Sequence, residues 1–152
     1  MNLQYNSTLP SVVEGGPCEA QATNRGELLV KPRPNVDITG LASAARTATT
    51  NSGDLINYDG RGLFVVVDVT NAGTGSITLT IQGKDAVSGQ YYTLLVGAAI
   101  TTVSTNVYRV YPGLTASANS VASDILPRTY RLLVTHNNAN SITYSVGASV
   151  IC

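Results

Sequence analysis

Charge is scarce in this chain of 152 residues. Charged side chains make up 12% of it, and nine Lys and Arg are balanced by nine Asp and Glu. That is about half the usual ~25%, and the balance leaves no net field to recruit phosphate backbones or anionic membranes. Neither nucleic acid nor a membrane is expected as a partner. Trp is absent and Phe occurs once, which removes the usual aromatic platform for sugars. Long apolar runs are missing too: the longest, Leu63 to Val67, is far short of the ~20 residues that span a bilayer. The first thirteen residues hold no Lys or Arg and no apolar core of a secretory signal, so synthesis is expected to end in a cytosol. Cys18 and Cys152 sit near opposite ends of the chain, unlike the closely spaced pairs of a disulfide framework, and read as free thiols. Two cysteines make no zinc site without further ligands.

What remains is 43% hydrophobic, with eight tyrosines, enough for one self-standing domain that buries roughly 68–70% of its unfolded surface. The sequence changes character near residue 60. Residues 1–58 carry Pro10, Pro17, Pro32 and Pro34 among Gly, Asn and Thr with short apolar pieces, and read as an extended N-terminal arm and linker. Within the arm, Glu27 to Val30 is the best strand candidate, stopped by Lys31-Pro32-Arg33-Pro34, a run that favours extended backbone. Gly40 to Thr50 is Ala-rich but has no apolar stripe and reads as a loop, with one or two helical turns as the alternative.

Residues 59–152 read as a β-sandwich, because short strands recur between turn signals at roughly 8–12-residue spacing. Gly62 to Val69 is a continuous apolar run, as expected of a central strand covered on both faces. Ser76 to Gln82 alternates, with Ile77, Leu79 and Ile81 on one face. Further strands are expected at Tyr91 to Val96, Ala99 to Val103, Val107 to Tyr111, Arg128 to Thr135 and Ile142 to Val150, while Leu114 to Asp124 reads as a loop with room for a helical turn. The fold class is therefore all-β: an antiparallel β-sandwich of jelly-roll-like type with an extended N-terminal arm.

Chemistry is harder to find. A Ser/His/Asp or Cys/His set would have to use the single His136, which lies beside the Asn-rich turn Asn137-Asn138-Ala139-Asn140 with no nucleophile motif in support. Asp54, Asn57, Asp59 and Gly60 approximate a calcium loop, but position 55 is Leu and no downstream Glu stands at the right spacing. An Asp54/Asp59 carboxylate pair suits glycoside hydrolysis in principle, without the aromatic platform. Gly60-Arg61-Gly62 and Gly73-Thr74-Gly75 border strands, whereas phosphate cradles need a helix N-terminus; they are tight turns. No catalytic, cofactor-binding or metal-binding residue is assigned, and no cofactor is expected. Tyr108, Arg109, Tyr111, Arg128, Tyr130 and Arg131 have two readings. They form a partner-binding patch at one edge of the sandwich, or the arginines simply point outward and blunt sheet edges.

Several segments are recognisable together: Gly60 to Thr70; Ile77-Thr78-Leu79-Thr80-Ile81-Gln82-Gly83-Lys84-Asp85 with Ser88-Gly89-Gln90-Tyr91-Tyr92; Val107-Tyr108-Arg109-Val110-Tyr111-Pro112-Gly113; Leu126-Pro127-Arg128-Thr129-Tyr130-Arg131; and Ser145-Val146-Gly147-Ala148. They resemble a β-sandwich module of small virion proteins from tailed bacteriophages. The arm pattern Leu9-Pro10, Gly15-Gly16, Gln21 and Arg25 to Val30 resembles the N-terminal segment of phage structural proteins, and the composite resembles capsid decoration, or cement, proteins. The resemblance implies a non-enzymatic protein on the capsid surface of a virion made in a host cytoplasm. Its implied partner is the major capsid protein, and its implied state is a homo-oligomer, a trimer. Binding is then expected through Leu3, Tyr5, Leu9, Val12, Val13, Leu28, Leu29 and Val30, because an arm this poor in apolar side chains does not offset its own ordering cost of about 1–2 kcal/mol per residue without neighbours. The alternative is a tail, neck or fibre protein, or a receptor- or carbohydrate-binding module, since a shared fold does not fix function.

Overall fold

The computed structural model describes residues 34–152. They form ten strands: β1 (Val36–Arg46), β2 (Thr50–Asn51), β3 (Leu55–Ile56), β4 (Gly62–Asn71), β5 (Ile77–Lys84), β6 (Tyr91–Val96), β7 (Ser104–Val110), β8 (Val121–Ala122), β9 (Thr129–His136) and β10 (Ile142–Ile151). One sheet runs β1-β10-β4-β7-β8 and the other β2-β9-β5-β6, with β3 beside β2 on the same partner, β9. Setting aside the two-residue β8 and counting β2 and β3 as one interrupted strand leaves eight. The first pairs with the last (β1 with β10), the second with the seventh (β2 and β3 with β9), the third with the sixth (β4 with β7), and the fourth with the fifth (β5 with β6), all antiparallel. A long hairpin rolled on itself gives this order. It is the jelly roll, an all-β sandwich.

Alternation places the core. In β5 the side of Ile77, Leu79, Ile81 and Gly83 is buried, and that of Thr78, Thr80, Gln82 and Lys84 is half-buried. β4 behaves likewise: Leu63, Val65, Val67 and Val69 point inward, while Phe64, Val66 and Asp68 lie on a half-buried outer face. The expectation that β4 is covered on both faces is thus corrected. The strand is central in its sheet, yet its outer face meets no second layer among the described residues. Leu132 and Val134 of β9 meet Tyr144, Val146 and Val150 of β10 in the same core cluster.

The sandwich takes in residues that composition assigned to the arm. β1 pairs with β10 from Val36↔Val150 to Arg46↔Ile142, through register shifts between Thr39 and Leu41 and between Leu41 and Ala44. Those irregularities explain why the loop-or-helix reading of 40–50 fails. Ile38 and Leu41 are three apart, so no period of two joins them, yet both pack against the core because a bulge resets the strand's phase between them. Gly40 sits where a side chain would strike Leu132 Cδ1 and crowd the Val146 carbonyl, so any larger residue there requires Leu132 to shift.

Two smaller expectations also change. Of 99–103 only Ile100 pairs, in an isolated bridge to Ile77. The 114–124 segment contains no helical turn: a Ser117–Val121 bridge and the left-handed Asn119, at φ 62°, lead into β8, which lies parallel to β7.

Asn57 ties the β3–β4 connection together and is the one buried polar residue among those described. Its Nδ2 donates to the carbonyls of Gly60 (2.8 Å) and Leu126 (3.1 Å), and its Oδ1 accepts from the Gly60 N–H at 2.7 Å. Asn57→Ala leaves these groups unpaired in a closed site and is expected to cost about 2–3 kcal/mol, read as a lower urea midpoint with an unchanged slope.

Candidate functional site

The tyrosines and arginines of the sequence-predicted patch do not come together. Tyr108 and Tyr130 are core residues at 3% and 0% exposure, so they are not available to a partner, and burial raises the phenol pKa of each, that of Tyr130 to about 12. The error has a simple cause: alternation along β7 and β9 sets them opposite to Arg109 and Arg131. Arg109 lies on the outer face of the first sheet, with its guanidinium 5.5 Å from the Phe64 ring centroid. Arg131 lies on the outer face of the second sheet, 3.4 Å over the Tyr91 ring, with Nε donating to Gln82 Oε1 at 2.8 Å. Arg128 stands 5.2 Å over Tyr58. Tyr111 is half-buried, its ring lying where a side chain on Gly62 would go. The sequence-predicted residues Leu3, Tyr5, Leu9, Val12, Val13, Leu28, Leu29 and Val30 lie outside the described residues.

On the second sheet Asp54 accepts hydrogen bonds from Lys84 Nζ and from the Tyr91 hydroxyl, the latter at 2.6 Å. The Lys84 bond first, then the Tyr91 bond, holds the Asp54 carboxyl below its ordinary pKa. Asp54 thus joins the β2–β3 linker to β5 and β6, and its charge is already matched. Among the described residues no three His, Cys, Asp or Glu gather as a metal site, and the incomplete calcium loop is accounted for by turn chemistry around Asn57 and Gly60.

His136 also serves the fold. Its Nε2 is 3.2 Å from the Tyr144 hydroxyl, while Arg46 stacks 4.6 Å over the Tyr144 ring and donates to the Tyr144 carbonyl at 2.8 Å. Burial, and then the Arg46 charge, push the His136 pKa below its ordinary 6.5. The unfolded chain therefore binds more protons here than the native one, so the contribution is present above pH ~6.5 and is lost as pH falls through the lowered native value. Urea midpoints measured from pH 8 down to 5 should decline below pH ~6.5, and His136→Asn should flatten that part of the decline.

The surface that sequence reasoning missed is at the end of the sandwich where β1 begins. Val36, Ile38, Ile56, Tyr58, Val150 and Cys152 line a cleft there, with Asn57, Asp59 and Gly60 at its polar side. Val36, Ile56 and Tyr58 are 52%, 43% and 72% exposed, so the cleft has an open apolar rim. Cys152 is a free, exposed thiol whose Sγ–H donates to the Pro34 carbonyl at 3.5 Å. The cleft adjoins the outer edge of β1, which pairs with β10 alone among the described strands. Toward the far end of β1, Arg46 covers the strand by donating to the carbonyls of Ala42 (2.6 Å) and Ala44 (3.1 Å). Val36 to Leu41 receive no such cover from the described residues. Ile56 and Tyr58 in a polar turn were the only hint of this surface in the sequence.

No family model matches the sequence, and no curated protein matches it. Among solved structures, a chain described as the structure of infectious bursal disease virus Gt strain is similar at 13% identity and a TM-score of 0.43, over 95% of this chain and 42% of that one. This chain thus spans less than half the length of the one it matches.

Proposed function

We propose that this protein is a non-enzymatic virion structural protein, a capsid decoration protein that holds a phage head together by lying between major capsid subunits and reaching them through its N-terminal arm. The observation that carries this reading is the place where the arm joins. The jelly roll is assembled from Val36 to Ile151, and the preceding residues enter it at β1, the edge strand of its sheet. The eight-strand pairing of the jelly roll is complete without them. The segments whose pattern resembles phage virion modules coincide with structural units: Gly60 to Thr70 with β4 and its entry, Ile77 to Tyr92 with the β5–β6 hairpin, and Ser145 to Ala148 with the middle of β10. Jelly rolls also build lectins, so the arm rather than the fold distinguishes the reading.

The test is co-sedimentation of the purified chain with shells prepared without it. The protein is expected to pellet with shells, and a variant carrying Leu9→Asp and Val12→Asp is expected to lose at least about a hundredfold in affinity, since each buried side chain of this size contributes about 1.5–3 kcal/mol. Equal binding by that variant contradicts the assignment. Absence of shell binding together with adsorption to host cells would favour the receptor-binding class instead.

A further inference from the structure

We infer that the open stretch of β1, Val36 to Leu41, and the adjoining apolar cleft receive the Glu27 to Val30 segment of a second copy of this chain, which adds to the sheet as a strand beside β1. The inference rests on the proposed function in one respect, that the arm binds other chains; it names the chain that residues 27–30 bind.

Three observations support it. The first is the uneven treatment of the β1 edge. An unpaired strand edge is a template for another strand, and soluble proteins blunt such edges. Here the Arg46 guanidinium blunts the Ala42–Ala44 end, whereas Val36 to Thr39, before the first bulge, carry neither proline nor lysine, and their one charge, Asp37, is taken up by the Ser149 hydroxyl. The second is that an apolar cleft accompanies the open backbone at this end, lined by the exposed Val36, Ile56 and Tyr58. Strand addition uses both: main-chain bonds give affinity, and pockets for alternate side chains give specificity. The third concerns the occupant. The 33 residues outside the described structure join it at Pro34, whose carbonyl bonds Cys152 in the wall of this cleft. In that segment Glu27-Leu28-Leu29-Val30 is strand-forming, with Leu28 and Val30 on one face. Four residues in a strand span about 13 Å and the open stretch of six about 20 Å, so the segment fits.

The linker then selects a second copy over the same copy. Between Val30 and β1 stand Lys31-Pro32-Arg33-Pro34-Asn35. Two prolines hold their own φ, and the residues before them are steered to extended backbone, a poor chemistry for the reversal that a hairpin with the chain's own β1 would need. Each copy donates to the next and accepts from the one before. Such a heterologous contact closes into a ring when its rotation allows.

The experiment uses the full chain and two variants. The donor variant carries Leu28→Asp and Val30→Asp; the acceptor variant carries Val36→Lys and Ile56→Lys, both at exposed positions so that the jelly roll is kept, which circular dichroism checks. By sedimentation equilibrium the wild type is expected as a multiple of the 15.8 kDa chain and each variant alone as a monomer. Mixed together, the two variants are expected to form a one-to-one dimer, because one intact donor meets one intact acceptor and no ring closes. A monomeric wild type, variants that keep the wild-type mass, or folded monomeric variants that do not pair on mixing would each overturn the inference. Shell co-sedimentation separates the two readings: a monomeric wild type that still binds shells defeats this inference alone, whereas an oligomer formed as described that ignores shells defeats the proposed function alone.

Discussion

A chain lacking residues 1–33 is expected to keep its jelly roll and lose its place on the shell. The described core supports the first half: its buried apolar residues run from Leu63 to Val150, with Ile38, Leu41 and Leu55 packed against them, and the first strand begins at Val36. Its far-ultraviolet spectrum should keep the β signature of the full chain, and it should still unfold in one cooperative transition. The second half follows from the proposed role of the arm. If the arm supplies the contacts to other subunits, shell co-sedimentation should drop below detection at concentrations where the full chain saturates. A truncated protein that occupies shells as fully as the intact one would show that the sandwich itself makes the attachment.

The second large effect lies at Tyr130. Its ring is fully enclosed, and its hydroxyl has no hydrogen-bond partner among the described residues. Tyr130→Ala should cost about 3–5 kcal/mol, the range for removing a large aromatic from a packed core. Tyr130→Phe keeps the ring and deletes only the unpartnered hydroxyl, so it should be neutral or stabilising by up to about 1 kcal/mol. The same residue governs alkaline behaviour. Its native pKa of about 12 stands above the ordinary 10, so the unfolded chain releases this proton first. The stability tied to the neutral phenol is complete below pH 10 and is lost as pH climbs toward 12. Tyr108 and Tyr144 are raised by burial in the same direction. Phenolate absorbance should therefore rise late and together with unfolding, and the Phe variant should resist the alkaline transition better than the wild type. A Phe variant less stable than the wild type by more than about 1 kcal/mol would mean that the hydroxyl has a partner after all.

Tyr130 also shows what the sequence made legible. The strand β9 was readable from Arg128 to Thr135, and alternation along it separates Tyr130 and Leu132 from Arg131 and Leu133. Which of the two faces is buried is a property of the opposing sheet, and grouping Tyr130 with Arg131 by adjacency crosses from one face to the other. The strands with clean alternation or dense β-branching, β4, β5 and β10, were legible within a few residues because period two survives along them. β1 was not, because its bulges reset the phase between Ile38 and Leu41 and leave a pattern that no single period describes. β2, β3 and β8 are two residues each, too short to carry a pattern, and form only because β9 and β7 offer them an edge. The cleft was hidden for a related reason: Val36, Ile56 and Tyr58 come from separate segments, and only the pairing of β1 with β10 and of β3 with β9 sets them side by side.

The most direct test of the central claim is a map of the intact particle at a resolution sufficient to place a jelly roll of this size. The account predicts this density at many equivalent positions over the head, each in contact with major capsid subunits and with chain running from the β1 end of the sandwich into its neighbours. Density confined to a single ring at the neck, to the tail or fibres, or missing from the particle altogether would contradict it.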